Sequence, residues 1–197
     1  MEYHLKTPVS EEEVRSLHVN DILYISGLIF TARDMAHKRA LTYLRKGQGF
    51  PFKTEGLALY HCGPIVRGTV DGWSVISAGP TTSTRMESLE SEFIKGTKVR
   101  IIIGKGGMGE ETTRAMTALG AIYAAFTGGA AVLAAQKIVE VKEVEWLDLG
   151  MPEAMWLLEV RNFGPLVVAI DSKGNNLYRN VIRTSKRRKT VILKRLK

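Results

Sequence analysis

Two glycine-rich loops of the sequence carry the side chains that are best suited to chemistry. The first loop, GPTTST, supplies Thr81 and Thr82 and leads directly into Arg85, and the second loop, GKGGMG, supplies Lys105. Arg binds a flat carboxylate through two parallel hydrogen bonds, and Lys adds a compact positive charge. Because each loop precedes a helical pattern, free backbone N–H groups and the helix dipole favour an anion at the same place. The sequence therefore predicts a site for a small anionic molecule.

A third cation, Arg33, stands in the segment TARD, where a helix from Ala32 to Lys46 is predicted to begin. A positive charge at a helix start opposes the dipole and gains nothing locally. Arg33 is therefore kept there either by a ligand or by an ion pair with Asp34 or a nearby carboxylate. His37 follows one turn later, and a supporting or structural role is favoured for it over that of a general base.

The glycine loop also matches the dinucleotide fingerprint, through Gly104, Gly106 and Gly109. That fingerprint requires an acidic residue about 20 positions later, and the corresponding region AAFTGGAA has none. A phosphate-binding P-loop is excluded as well, because no Gly-Lys-Ser/Thr follows the required spacer. A tight strand-to-helix turn would explain the glycines but not Lys105 among them.

The cysteine and histidine content argues against a metal cluster held by this chain. The single cysteine, Cys62, forbids an internal disulfide, and four scattered histidines lack the spacing of a zinc site. His61 precedes Cys62, but neighbouring strand residues point to opposite faces, so a buried structural thiol is favoured over a nucleophile. Iron–sulfur chemistry would therefore need thiolates from another chain.

The positive charge of the chain is concentrated at its end. The net charge is +8, yet the segment from Arg179 onward holds nine Lys or Arg residues and no acid. The remainder is close to neutral, so a basic tail is predicted and nucleic-acid binding is disfavoured. Neither a membrane span nor a signal peptide is recognisable, and a cytoplasmic protein is expected.

Each of the two glycine-rich loops lies between a predicted strand and a predicted helix. Val75 to Ala78 and Val99 to Ile103 are predicted strands, each followed by a loop and a helix, which suggests neighbouring parallel strands. Thr84 and Glu87 have the spacing of a capping box at the first of these helices.

The remaining patterns complete one α/β domain, predicted over residues 1–180 and followed by the basic tail 181–197. In the first half they comprise a helix capped by Ser10 and Glu13, a strand from Asp21 to Ser26 that Gly27 breaks, a short apolar run ending at Tyr60, and a turn at Thr69 to Gly72. In the second half they comprise a strand from Ala121 to Phe126, a helix opened by Gly128 and Gly129, and a strand from Val139 to Glu145. The last two predicted strands, Leu157 to Val160 and Leu166 to Ile170, are separated by a turn at Asn162 to Pro165.

Four segments, SGLIFTARDMAHKR, GPTTSTRM, IIIGKGGMG and LGMPEAMW, resemble the C-terminal part of iron–sulfur-dependent class I fumarases. The likeness extends to the separate β subunits of two-chain forms, L-tartrate dehydratase among them, and runs from about residue 5 to residue 180. It implies a swivelling β/β/α domain. It also implies reversible addition of water to fumarate, giving L-malate, by an α2β2 enzyme whose α subunit holds a [4Fe-4S] cluster through three cysteines.

The resemblance assigns roles residue by residue. Arg33, Arg85 and Lys105 would bind the carboxylates of a small dicarboxylate substrate, and Thr81 would act as acid or base together with an α-subunit carboxylate. Thr82 and the loop glycines would donate hydrogen bonds; these glycines are Gly79, Gly104, Gly106 and Gly107. The family often has Ala-Gly where this chain has Ser83-Thr84, and Asp where it has Glu87, but Arg85 stays in register.

Three alternatives remain open from the sequence. L-Tartrate dehydratase would use the same carboxylate contacts on a substrate with one more hydroxyl. A non-catalytic anion-binding module would keep the loops without the chemistry, and a nucleic-acid-binding module would depend on the tail alone.

Overall fold

The computed structural model describes residues 1–70 and 72–195. Within this range the elements are β1 (Glu2–Lys6), α1 (Glu11–Ser16), β2 (Ile22–Thr31), α2 (Asp34–Arg45), β3 (Ala58–Tyr60), β4 (Ile65–Thr69), β5 (Gly72–Ser77), α3 (Glu87–Thr97), β6 (Ile101–Gly104), α4 (Glu110–Leu119), β7 (Ile122–Ala125), α5 (Ala131–Gln136), β8 (Ile138–Glu145), β9 (Met155–Ile170) and α6 (Leu177–Arg195), with 3₁₀ turns at Ser83–Met86 and Leu147–Leu149.

Seven strands of the described chain form one sheet in the order β1-β2-β3-β6-β7-β9-β8. The strands from β1 to β7 in this order are parallel, and β9 is antiparallel to its neighbours. Because β9 also pairs with β2, the strands β2, β3, β6, β7 and β9 close into a ring. The result is a mixed α/β domain built around a barrel-like sheet.

The sheet is covered on both faces, which explains its continuous apolar strands. In β6, Ile101 and Ile103 join one buried cluster, whereas Ile102 joins a second cluster on the opposite face. The second cluster includes Phe93 of α3 and Met116 of α4, so these helices pack on the outside of the sheet. The alternation follows directly from the two-residue period of a strand.

The prediction of neighbouring parallel strands before the two loops is wrong. Val75 lies in β5, which pairs antiparallel with β4 in a separate two-stranded sheet. The hairpin was predicted only as a turn and one strand; Asp71 of that turn lies outside the described residues. Since α3 leads into β6 and α4 into β7, their N-termini nevertheless point to the same edge of the main sheet.

Two predicted strand breaks are also wrong. Gly27 lies inside the continuous strand β2 with φ of +98°, and a Cβ there would lie 2.7 Å from Oγ1 of Thr7. The predicted turn from Asn162 to Pro165 is an irregular part of the single long strand β9. In both places the partner strands continue on either side, so pairing overrides the local turn signal.

Near the N-terminus one prediction is confirmed and one strand was missed, and near the C-terminus the predicted tail is helical. The capping box of α1 is confirmed, because the Ser10 hydroxyl accepts from the N–H of Glu13 while the Glu13 carboxylate accepts from the N–H of Ser10. The strand β1 was missed. The segment predicted as a basic tail belongs to the helix α6 as far as residue 195, and residues 196–197 lie outside the described part.

Across the described residues, no helix combines the length and the apolar composition that a membrane crossing requires.

Candidate active site

The candidate residues gather where the parallel strands end. Thr31, Tyr60, Ile103 and Ala124 are aligned across β2, β3, β6 and β7. Arg33, His61 and Lys105 follow the first three of these positions within two residues. The carboxyl ends of parallel strands share one edge, and in α/β sheets that edge is the usual place for a ligand.

The loop GPTTST lies against this edge as a short extended segment. The N–H of Thr81 donates to the carbonyl of His61 at 2.7 Å, and the N–H of Ser83 donates to the carbonyl of Lys105 at 2.9 Å. The N–H of Lys105 in turn donates to the carbonyl of Thr81 at 3.3 Å, and Thr82 and Lys105 form a parallel bridge. The two loops are therefore side by side, as the anion-site prediction requires.

Both arginines are held by carboxylates of this chain. Arg85 donates to Asp34 from Nε at 3.2 Å and from Nη2 at 2.6 Å. The Nε of Arg33 lies 3.3 Å from Glu153, without the alignment of a hydrogen bond. The alternative that Arg33 pairs with a carboxylate is thus confirmed with Glu153 rather than Asp34. Asp34 instead brings Arg85 next to the start of α2, where Arg33 is located.

Lys105 extends along the loop that follows β7. A Cβ on Gly128 would lie 3.7 Å from Cδ of Lys105 and 4.0 Å from its Nζ. Its side chain is half-buried, and within the described residues it forms no ion pair. Thr81 is half-buried and Thr82 is exposed.

The predicted capping box of Thr84 and Glu87 is wrong, because Glu87 caps a different helix. Its carboxylate accepts from the N–H of Gly109 at 2.6 Å, from the N–H of Thr112 at 3.2 Å and from the hydroxyl of Thr112 at 2.8 Å. These N–H groups belong to the start of α4. The end of α4 that was predicted to attract a ligand anion is therefore occupied by the protein's own carboxylate.

The loop glycines leave room for neighbouring side chains to pack directly against the backbone. A Cβ on Gly104 would collide with Oγ of Ser83, and Gly107 has φ of +77° and lies against the ring of Tyr178. Gly79 packs against Ala131, and Gly106 lies beside the methyl group of Thr82. These contacts hold the loops close together, and whether the glycines also donate to a ligand stays a prediction.

Comparisons with known proteins identify the family of this chain. The model of the family described as "Fumarase C-terminus" matches residues 1–181. This chain belongs to that family. It is 45% identical over 173 residues to the L(+)-tartrate dehydratase subunit beta of Escherichia coli strain K12, covering 88% of this chain and 85% of that protein.

Two further relatives extend the comparison. A protein of Methanocaldococcus jannaschii named "Putative L(+)-tartrate dehydratase subunit beta" is 46% identical over 182 residues, covering 92% of this chain and 93% of that protein. A Geobacillus stearothermophilus protein named "Putative fumarate hydratase class I" is 40% identical over 182 residues, covering 92% of this chain but 34% of that protein. The relatives are hydro-lyases or hydro-lyase subunits by name, so the family is one of lyases.

Beneath the loops, this member of the fumarase C-terminus family has a buried polar cluster that sequence reasoning missed. Nε2 of His61 lies 3.1 Å and Nε2 of His37 lies 3.3 Å from Oε2 of Glu90, and all three side chains have no solvent exposure. Nδ1 of His61 lies 2.9 Å from Oγ of Ser83, which also accepts from the hydroxyl of Tyr123 at 3.0 Å. No local signal in the sequence identifies the partners of Glu90.

Burial controls the ionisation of this cluster. It raises the pKa of Tyr123, so the phenol keeps its proton and donates to Ser83. It lowers the pKa of His61, which favours the neutral ring despite the attraction of Glu90. Burial opposes ionisation of Glu90, but the polar contacts of its carboxylate with His61 and His37 hold the pKa of Glu90 below its usual value.

Cys62 is a buried structural thiol, as the sequence predicted. It has no solvent exposure, and burial raises the pKa of its thiol well above the usual value. A thiol in this state is a poor nucleophile and a poor metal ligand.

A cleft of about 530 Å³ lies between the GKGGMG loop and α6. Tyr178, Arg179 and Arg183 line it from the helix, and of the residues predicted to form the site only Gly106 contributes. The cleft is therefore distinct from the edge that carries Arg33, Thr81 and Lys105.

Proposed function

We propose that this chain is the β subunit of a class I fumarate hydratase, which adds water reversibly to fumarate to give L-malate. The observation that supports the proposal best is the placement of Arg33, Thr81, Arg85 and Lys105 at one edge of the sheet. Three cations and a hydroxyl match a substrate with two carboxylates and a carbon that gains or loses a proton.

In this proposal the cations bind the substrate carboxylates and stabilise the charge that develops on one of them. Removal of the proton next to a carboxylate builds negative charge on that carboxylate. Arg33 and Arg85 offer paired N–H donors to the two oxygens of a carboxylate, and Lys105 adds a point charge. Fixed donors matched to the charge of a transition state contribute about 3–4 kcal/mol each.

Thr81 is the residue of this chain assigned to proton transfer. Its hydroxyl is a poor base at neutral pH and needs a neighbouring base, for which a carboxylate of the α subunit is proposed. The hydrogen bond from its N–H to His61 fixes the backbone of Thr81, so the hydroxyl can be presented in one place.

The proposal includes an iron–sulfur α subunit. A [4Fe-4S] cluster with one open iron needs three cysteine ligands, whereas this chain has one cysteine, and that thiol is buried with a raised pKa. The donor set of this chain therefore does not fit the cluster, and the ligands belong to the partner. When bound there, the cluster would supply a Lewis acid for the substrate hydroxyl.

Several finer features belong to the same proposal. They are dependence on the α subunit, an α2β2 assembly, a swivelling movement of the β/β/α domain against the α subunit, and a cytoplasmic location.

The second candidate function is that of the β subunit of L-tartrate dehydratase, which converts L-tartrate to oxaloacetate. The relatives at 45–46% identity favour it, because their names give that activity. The same cations would bind tartrate, since both substrates are dicarboxylates that lose or gain water next to a carboxylate.

The test is reconstitution. The chain would be co-expressed with its cysteine-bearing α partner, the cluster assembled without oxygen, and fumarate, L-malate and L-tartrate followed separately. We expect turnover of fumarate and L-malate only in the mixture. Preferential turnover of L-tartrate would assign the second function, and dicarboxylate binding without any turnover would indicate a non-catalytic module.

Variants connect the activity to the site. Arg85→Ala and Lys105→Ala are each expected to lower kcat/KM by about 100-fold or more while the folded domain is retained. Arg67→Ala is the matched control, because Arg67 is an exposed cation on the hairpin away from the strand-end edge. Full activity of both site variants would remove these cations from the mechanism.

A further inference from the structure

The cluster of His37, His61 and Glu90 leaves several buried polar atoms without hydrogen bonds. Nε2 of both histidines and both carboxylate oxygens of Glu90 lack a hydrogen-bond partner among the described residues. The three side chains have no solvent exposure, and one donor atom from each lies within 4.8 Å of the others. Buried polar atoms are nearly always paired, so four unpaired atoms at one point require an explanation.

In both histidines Nδ1 already has a polar partner, and only Nε2 is directed at Glu90. Nδ1 of His37 lies 2.8 Å from the carbonyl oxygen of Arg33, which can only accept, so Nδ1 carries the proton. In the neutral ring the lone pair of Nε2 then faces Glu90, and two acceptors oppose each other at 3.3 Å. Nδ1 of His61 is held by Ser83, which leaves its Nε2 directed at the same carboxylate.

We propose that His37, His61 and Glu90 bind one divalent transition-metal ion, for which Zn²⁺ is the best fit. Two imidazole nitrogens and a carboxylate form a donor set that zinc accepts, and a carboxylate binding through both oxygens completes four ligand atoms.

The distances from the two Nε2 atoms to Oε2 of Glu90 agree with this assignment. Ligand atoms about 2.0–2.1 Å from a tetrahedral ion are separated from each other by roughly 3.3 Å. The observed separations of the two Nε2 atoms from Oε2 are 3.1 and 3.3 Å, and neither contact has the alignment of a hydrogen bond. Metal-bound histidines typically donate their other N–H to a carbonyl or another oxygen, as the partners Arg33 and Ser83 provide here.

The ion would be structural, because the site is closed to solvent and its donors leave no open position. His37 belongs to α2, His61 follows β3 and Glu90 belongs to α3. These elements position Arg33, Thr81 and Arg85, so the ion would fix the parts of the strand-end edge relative to one another. The inference does not depend on the proposed function, since it concerns only the donors of this chain.

A proton is the competing explanation for the cluster. A doubly protonated His37 beside an ionised Glu90 would remove the opposition of two acceptors without a metal. The two explanations differ in composition, because only one of them leaves an ion that can be counted.

The test uses the complete chain, purified without an affinity tag that binds metals. Elemental analysis of the wild type is expected to give about one Zn²⁺ per chain, and Glu90→Gln and His61→Gln are expected to lose most of it. His4→Gln is the matched control, because His4 is 61% exposed, and it should keep the ion. Chelation should lower the thermal midpoint of the wild type, and Zn²⁺ should restore it where Mg²⁺ does not.

The wild type alone can overturn the proposal, so a variant that fails to fold does not obscure the result. A metal-free wild type whose thermal midpoint is unchanged by both chelator and added Zn²⁺ would establish the proton-bridged cluster instead. Replacement of the ion by Co²⁺ gives a second readout, since tetrahedral coordination by the cluster produces visible absorption that the control retains and Glu90→Gln lacks.

Discussion

Glu87→Ala should destabilise the domain through a helix that does not contain Glu87. The carboxylate accepts three hydrogen bonds at the start of α4, two of them from the N–H groups of Gly109 and Thr112. Its removal leaves those donors unpaired and takes a negative charge from the positive end of the helix dipole.

The magnitude follows from these contacts. Loss of an N-terminal cap costs about 0.5–2 kcal/mol, and the charge at the dipole adds about 0.3–1 kcal/mol. Because Glu87 is only half-buried, water can replace part of what is lost. We expect a decrease of about 2 kcal/mol in the free energy of unfolding for Glu87→Ala. Glu87→Gln keeps one acceptor and should lose about 1 kcal/mol.

Urea unfolding of the complete chain measures this difference, and the thermal midpoint should fall by about 4–8 °C for the alanine variant. The matched control is Glu111→Ala, because Glu111 is exposed in the same first turn. The control should change the free energy of unfolding by less than about 0.5 kcal/mol. Equal stability of Glu87→Ala and Glu111→Ala would refute the assignment of Glu87 as the cap of α4.

Two further predictions concern packing and pH. Gly104→Ala should lower the free energy of unfolding by about 1–3 kcal/mol, because the added Cβ would collide with Oγ of Ser83. Urea unfolding measures this change. A variant as stable as the wild type would show that the two loops can move apart to accept the methyl group. Burial opposes ionisation of Asp21, but the chain's amino group at 2.7 Å and the N–H of His18 at 2.8 Å hold the pKa of Asp21 below its usual value. The ionised group therefore stabilises the fold above the unfolded pKa of about 3.9, and this contribution is lost as the pH falls through the lower folded value. The stability deficit of Asp21→Asn should accordingly be full near pH 6 and shrink below about pH 4, and a deficit independent of pH would contradict the assignment.

Local rules were sufficient where the stabilising contacts are local. The capping box of Ser10 and Glu13 and the helix α4 after the second loop were predicted correctly, because each depends on residues within a few positions. The strand from Val139 to Glu145 was predicted for the same reason, and it corresponds to β8.

Local rules failed where a distant segment decides the conformation. Gly27 is typical of a strand end, but β2 continues because β9 pairs with it on both sides of Gly27. The segment from Asn162 to Pro165 is typical of a turn, yet β9 continues because it pairs with β2 before and after the irregular part. Pairing of this kind involves strands more than a hundred residues apart and leaves no local signal.

The residue types in the loops were sufficient to predict where the candidate site lies. They were not sufficient to predict which side chains contact the site residues. Cations and hydroxyls in glycine-rich loops identified the strand-end edge, since few structural roles require Lys105 between glycines. The partners Asp34, Glu87 and Glu90 were not predictable, because helical periodicity indicates which face is buried and not what that face contacts.

The ion pairs of the two arginines imply that they respond differently to a dicarboxylate. The side chains of Arg85 and Asp34 are 47% and 25% exposed, and an ion pair in such surroundings contributes little, so exchange of Asp34 for a ligand carboxylate costs little. Arg33 and Glu153 are 23% and 19% exposed, and Arg33 is also confined by Gly63, whose Cβ would lie 2.6 Å from its Nη1. Arg33 is therefore the fixed contact and Arg85 the adjustable one. Under the proposed function, the carboxylates of a bound dicarboxylate should therefore be accommodated by movement at Arg85 and Asp34 rather than at Arg33.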